Sequence, residues 1–241
     1  HGISVLGGDT DSLFLGNTDM STVELAMQEI QDKFGASMEL ENEFRYFVIH
    51  AKKNYLGVSV NGEVETKGLL GKKKHVPWFI RRTFNDITDI LKAVQTKEQF
   101  SEAKDKIEDI VKERIAFLRS KSVPLEELAF TVRLSKQILQ GKGQAYDAAR
   151  YAVSHGIKFA SEKQKFSYVL TTGDRSAKPL GFVNNDEVNV NGYLKHMESY
   201  IGEQLFNLVE MSITMDGQRW YLVFSPWYRV WLRFAPLKEI F

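Results

Sequence analysis

Short apolar runs at residues 3–6 and 13–15 flank six small or acidic residues, Gly7-Gly8-Asp9-Thr10-Asp11-Ser12. β-compatible runs around polar turn chemistry predict strand, turn, strand, with Gly7 and Gly8 free to take positive φ. Across residues 19–34 the period changes to that of a helix. Val23, Leu25, Ala26, Ile30 and Phe34 share a stripe, Ser21 or Thr22 is the expected cap, and Gly35 is the expected stop. Strand-like runs follow at 37–50, 54–60 and 63–70, with the turn dipeptide Asn61-Gly62 between the last two.

Pro77 interrupts this pattern and is the best internal boundary. Beyond it the spacing predicts helices at 78–93 and 97–120, the latter with Phe100, Ala103, Ile107, Val111, Phe117 and Leu118 roughly on one stripe. Further helices are expected at 125–129, 144–155 and 189–209, and strands at 130–134, 166–172 and 180–183. The stretch 219–241 is unusually aromatic. The predicted class is α+β.

At 241 residues and 43% hydrophobic, the chain can bury a substantial core. It has no cysteine, which excludes disulfides, thiolate catalysis and Cys-ligated metal. No apolar run of membrane-spanning length and no signal peptide is seen, so no membrane partner and a cytoplasmic setting are expected. The first residue is not Met, which fits a processed chain or a piece of a longer one.

Net charge is only +1, but its distribution is uneven. Residues 19–45 hold seven acidic and two basic side chains; residues 51–82 hold eight Lys/Arg against Glu63 and Glu65. Such asymmetry points to a polyanion on one face, the plainer alternative being two solvated surfaces.

Asp9 and Asp11 stand two apart. On extended backbone both side chains leave one face, and paired hard carboxylates suit Mg²⁺. A two-metal site needs a further carboxylate from elsewhere. The alternative is an Asp-rich turn whose side chains only bond backbone amides. Leu13 and Phe14 stand where an EF-hand loop needs an oxygen ligand and a Gly, and Ser12-Leu13 where a phosphatase-type motif needs Gly-Thr. "GLLGKKK" lacks P-loop spacing, and no H-E-x-x-H occurs among the five His. About 40 residues after the acidic hairpin comes "KKNY": Lys52, Lys53 and Tyr55 join two cations and a phenol at a strand end, a set suited to a phosphate backbone. Lys67 and the run Lys72, Lys73 and Lys74 follow.

"GDTDSLFL", "KKNYLGV" and "KGLLGKKKHVPWFIRRTFNDI", in this order, resemble the C-terminal part of a family B DNA polymerase. The first is similar to that family's third catalytic palm motif, the second to its Lys-Lys-x-Tyr motif. Weaker similarity continues through "ELAFTVRLSKQI", "AARYAVSHGIKF", "FSYVLTTGDRSAKPLGFV" and "YLKHMESYIGEQLFNLV", covering about 200 of the 241 residues.

The resemblance implies a partial palm over residues 1–77, an antiparallel hairpin and sheet with a helix. A mostly helical thumb with a small β element would fill 78–241 and end in the aromatic tail. It implies Asp11 as the principal metal ligand and Asp9 beside it, in a turn shaped by Gly8, Thr10 and Ser12. Lys52, Lys53 and Tyr55 would hold primer-template DNA near the primer end, with Lys67, Lys72, Lys73 and Lys74 along the duplex. The implied reaction is attack of the primer 3′-hydroxyl on the α-phosphate of a dNTP at a two-Mg²⁺ site, during DNA replication, in a nucleoid-associated setting.

Two departures stand out. Gly7 occupies the place of the usual Tyr, and "QRWYLVF" at 218–224 resembles a sliding-clamp peptide only loosely, with Tyr221 and Ser225 at the wrong chemical type. Packing on its own thumb or on a partner is the preferred reading of that tail.

The second catalytic carboxylate segment, the nucleotide-binding fingers helix and the exonuclease carboxylates have no counterpart here; only eight residues precede Asp9. The expectation is therefore a partner, either a large subunit or an N-terminal portion, that carries exonuclease, fingers and the remaining palm. The chain is most similar to the small subunit of a split, two-polypeptide archaeal enzyme, inactive alone. The alternative is a non-catalytic DNA-binding accessory derived from a thumb. Bare apolar surface on an incomplete palm is expected to make the interface obligate.

Overall fold

A computed structural model describes residues 3–9, 12–16, 18–51, 54–68, 75–95, 97–133, 141–159, 164–202 and 231–232. The mixed α+β chain gathers into two compact units that interleave along the sequence. The first draws on His1–Leu69, Thr88–Lys106 and Glu203–Phe241, the second on Leu70–Ile87 and Ile107–Gly202.

In the first unit, β1 (Ser4–Asp9) and β2 (Ser12–Gly16) form an antiparallel hairpin. The ladder runs on through Gly8↔Leu13 to Asp9↔Ser12 after a register shift between Val5 and Gly7. Gly7, Gly8 and Ser12 are therefore strand rather than turn, because an antiparallel pair gains hydrogen bonds until only a two-residue loop is left. Helix α1 (Met20–Phe34) begins three residues earlier than a Thr22 cap would require. The cap is Asp19, whose carboxylate accepts the Thr22 N–H at 2.8 Å and the Ser21 hydroxyl at 2.7 Å. Gly35 ends the helix at φ 66°, donating to the Gln31 carbonyl. Of α1 only Val23 is buried.

Strands β3 (Phe44–Ala51), β4 (Asn54–Ser59) and β5 (Val64–Lys67) form an antiparallel sheet. Trp231–Leu232, the last described strand β9, lies parallel beside Phe47 and Val48. Residues 37–43 alternate like a strand but have no ladder partner among the described residues, where the ladder begins at Phe44↔Ser59, and they are mostly exposed. The Asn61-Gly62 turn forms as expected, with Gly62 at φ 81°. Tyr46 anchors the sheet. Its buried hydroxyl donates to the Leu91 carbonyl at 2.5 Å, its ring meets Phe100, and the neighbouring Arg45 guanidinium donates to the Val94 carbonyl at 2.9 Å. Burial raises the Tyr46 phenol well above its ordinary value.

Helices α2 (Trp78–Ala93) and α3 (Lys97–Arg119) match the predicted spans within a residue. In the second unit they bury Phe79, Ile80, Phe84, Ile107, Val111 and Leu118, and an Asp86–Arg114 ion pair at 3.0 Å joins them. Pro124 precedes the single turn α4 (Leu125–Leu128). A second antiparallel sheet, β6 (Phe130–Arg133), β7 (Lys165–Leu170) and β8 (Ala177–Pro179), follows. Helix α5 (Gln144–Ser154) lays a buried face of Ala148, Ala149 and Ala152 toward β8, the small side chains allowing close approach.

The strand expected at 180–183 is instead a 3₁₀ turn, Leu180–Phe182. The last ladder pair is Tyr168↔Pro179, and proline has no N–H with which to continue it. Helix α6 (Val190–Met197) continues as a π turn, Glu198–Gly202; the rest of the helix expected to 209 lies outside the described residues.

Candidate active-site hairpin and basic sheet edge

Two sequence motifs meet in the first unit. Phe14, on β2 of the acidic hairpin, packs edge-on against Tyr55 of β4, with ring centroids 5.7 Å apart and planes at 71°. Asp9 ends β1 opposite Ser12. Thr10 and Asp11 lie outside the described residues, as do Lys52, Lys53, Lys72, Lys73 and Lys74. The last β3–β4 pair, Ala51↔Asn54, brackets Lys52 and Lys53 in the chain. The clamp-like 218–224 segment also lies outside.

Tyr55 and Lys67 are described, and they form a cross-strand pair. The Lys67 ammonium stands 6.0 Å from the Tyr55 ring centroid, within cation–π range. The Tyr55 ring is 9% exposed, and its hydroxyl donates to Glu65 Oε1 at 2.6 Å. The other oxygen of Glu65 accepts the Asn42 side-chain amide at 2.5 Å.

Glu65, Asn42 and Phe14 were not among the candidate residues. Glu65 counted only as a charge opposing the lysines. Strand periodicity could have found it, since Glu65 and Lys67 share a face and Tyr55 sits opposite Lys67. Gly57, opposite Glu65, presents no side chain on that face and leaves the diagonal toward Tyr55 open.

Large apolar side chains are left exposed near the hairpin in sequence: Val5 63%, Leu13 48%, Leu25 61%, Phe34 77% and Leu40 49%. Among the described residues no group of three or more His, Asp or Glu side chains could hold a metal ion, and no helix is long and apolar enough to cross a membrane.

A family model for DNA polymerase family B matches residues 1–213. The chain is 31% identical over 202 residues to DNA polymerase 1 of Sulfurisphaera ohwakuensis, covering 82% of this chain and 23% of that protein. To DNA polymerase 1 of Saccharolobus solfataricus it is 30% identical over 210 residues, covering 83% and 23%. The fold is shared with the family B DNA polymerase from Pyrobaculum calidifontis, at TM-score 0.63 and 19% identity, over 89% of this chain and 27% of that one. The chain belongs to DNA polymerase family B. It spans about a quarter of the length of the curated relatives it matches.

Proposed function

We propose that this chain supplies the last carboxylate motif of the palm and the duplex-gripping thumb of a DNA-directed DNA polymerase, and that another polypeptide segment completes the active site. Residues 1–77 are assigned to the palm and 78–241 to the thumb with its aromatic tail. The observation that carries the reading is the Phe14–Tyr55 contact, which joins the acidic hairpin to the basic sheet edge. Nucleotidyl transfer needs both: carboxylates at the reacting phosphate and cations along the primer-template backbone.

Asp9 and Asp11, two apart in the chain, are hard oxygen donors, chemistry that fits Mg²⁺. Asp11, with Asp9 beside it, would hold metal together with a carboxylate from the completing segment. Bound there, Mg²⁺ would neutralise charge on the attacking and leaving oxygens. In the reaction the primer 3′-oxygen bonds the α-phosphorus, the α–β anhydride bond breaks, and pyrophosphate leaves. Lys52, Lys53, Lys67 and Lys72–Lys74 neutralise backbone phosphates and hold the duplex in register.

Val5, Leu13, Leu25, Phe34 and Leu40 stand exposed among the first forty residues, and a covering partner would bury them. The relatives' remaining three quarters are the natural occupant. That segment would bring the missing palm carboxylate, fingers and exonuclease, whether as a separate large subunit or as the rest of one chain.

Primer extension tests this reading. The chain, the partner it captures, and the mixture are each supplied with Mg²⁺, primer-template and all four dNTPs. The expected result is extension only in the mixture, lost with Asp11→Asn. A partner fully active alone, or a mixture indifferent to Asp11→Asn, overturns the catalytic role and leaves a DNA-binding accessory.

A further inference from the structure

The Tyr55 hydroxyl carries one proton, and that proton is committed to Glu65. While the bond holds, Tyr55 cannot donate to a phosphate. Its ring is buried, with the Lys67 ammonium to one side and Phe14 of the hairpin touching it. Glu65 is itself fixed by the Asn42 amide on its second oxygen. The chain of contacts therefore runs Asn42, Glu65, Tyr55, Phe14, from the loop before β3 to the strand after Asp11.

We propose that Glu65 is a positioning residue: by accepting the Tyr55 hydroxyl it seats the Tyr55 ring against Phe14, and so links the basic sheet edge to the hairpin that presents Asp9 and Asp11. Tyr55 is then a brace rather than a ligand of the DNA backbone. The physical basis is geometric. A ring with two rotatable torsions is held at its far end by a charge-assisted hydrogen bond, so its face meets Phe14 in one orientation. Without the acceptor, the part-buried hydroxyl must turn toward water and carry the ring with it. The catalytic consequence rests on the polymerase reading above; the brace itself does not.

Hydrogen exchange on the full chain reads the brace directly. Glu65→Ala should speed exchange of peptides covering Ser12–Gly16 by about tenfold, the size of one lost hydrogen bond to a charged group. Peptides covering Lys165–Leu170 should be unaffected. Glu65→Gln, which keeps an acceptor for Tyr55 and can face a flipped Asn42 amide, should recover most of the protection. In the assembled polymerase, Glu65→Ala should lower the single-turnover incorporation rate about tenfold while leaving primer-template Kd within about twofold. Tyr55→Phe should match it, and the double variant should be no slower than either single one.

Three results overturn the proposal: unchanged Ser12–Gly16 exchange in Glu65→Ala, a Glu65→Gln variant as impaired as Glu65→Ala, or a Tyr55→Phe variant whose main defect is weak duplex binding. If the wild-type assembly extends no primer, the polymerase reading fails, and the exchange measurements still decide the brace.

Discussion

The two sheets use a tyrosine hydroxyl in opposite ways. In the first, Tyr55 of the inner strand β4 donates its hydroxyl to a side-chain carboxylate, Glu65 of the edge strand β5. In the second unit, Tyr193 of α6 is fully buried; its hydroxyl donates to the Leu128 carbonyl at 2.7 Å and accepts the Leu170 N–H at 3.0 Å. Phe130 and Tyr168 stack beside it, and burial pushes the Tyr168 phenol up to about 12. Main-chain partners do not titrate and cannot be substituted, so Tyr193 is a fixed pin between β7 and the end of α4. A carboxylate partner can be exchanged or neutralised, so Tyr55 is an adjustable support. The contrast is between these two residues rather than between whole units, since Tyr46 of the first sheet is also held by a main-chain carbonyl, that of Leu91.

That contrast can be broken most sharply at the hairpin tip. Asp11→Asn should lower primer extension by at least about a hundredfold, the scale of losing a preorganised charge at the reacting centre, with the melting temperature unmoved. An extension loss matched by a melting loss would erase the contrast. Tyr193→Phe should do the reverse. Two buried main-chain groups lose their partner, costing about 2 kcal/mol and several degrees of melting temperature, and activity should fall only as the protein unfolds.

Smaller effects sharpen the boundary. Asp19→Ala removes the α1 cap and should cost about 1 kcal/mol in chemical denaturation, with Asp19→Asn retaining most of it. The smallest expected effect is on acid stability in the second unit. Glu187 accepts from Lys178 at 2.5 Å, and that bond, helped by the Asn184 N–H, holds the Glu187 carboxyl below its ordinary 4.5. Its contribution is therefore complete at neutral pH and is lost as pH falls below about 4.5 through the depressed value. Glu187→Gln should flatten the melting-temperature curve on that acid limb; an unchanged slope would assign the acid sensitivity elsewhere, Asp147 with its Ser176 and Arg150 partners being the next group held low.

Much of this was legible in the chain. Residues with strong periodicity and hard stops gave α2, α3 and the Asn61-Gly62 turn nearly to the residue, because Pro77 and Gly62 act locally. What failed depended on partners. The run 37–43 alternates but has no strand to pair with among the described residues, and Leu180-Gly181-Phe182 is apolar but follows a proline that ends the ladder. The α1 cap was misplaced by competition among Asp19, Ser21 and Thr22, won by the carboxylate that could reach both Thr22 N–H and the Ser21 hydroxyl. For the candidate site, the motifs pointed to Asp9, Asp11 and the lysines, of which Asp11, Lys52, Lys53 and Lys72–Lys74 lie outside the described residues. Glu65 was missed because its role exists only across strands, where register rather than sequence distance sets the neighbour.

The interleaving of the two units has a consequence for synthesis. The hydroxyl of Tyr46 donates to Leu91, the guanidinium of Arg45 reaches Val94 as well as Ser59, and Phe47 pairs with Trp231 much later still. A ribosome therefore releases β3–β5 well before the helix end that buries their central tyrosine. Until then that sheet is an open template with its edges unpaired, the state most prone to pairing with a neighbouring nascent chain. The first unit is the earliest to be made and among the last to be finished.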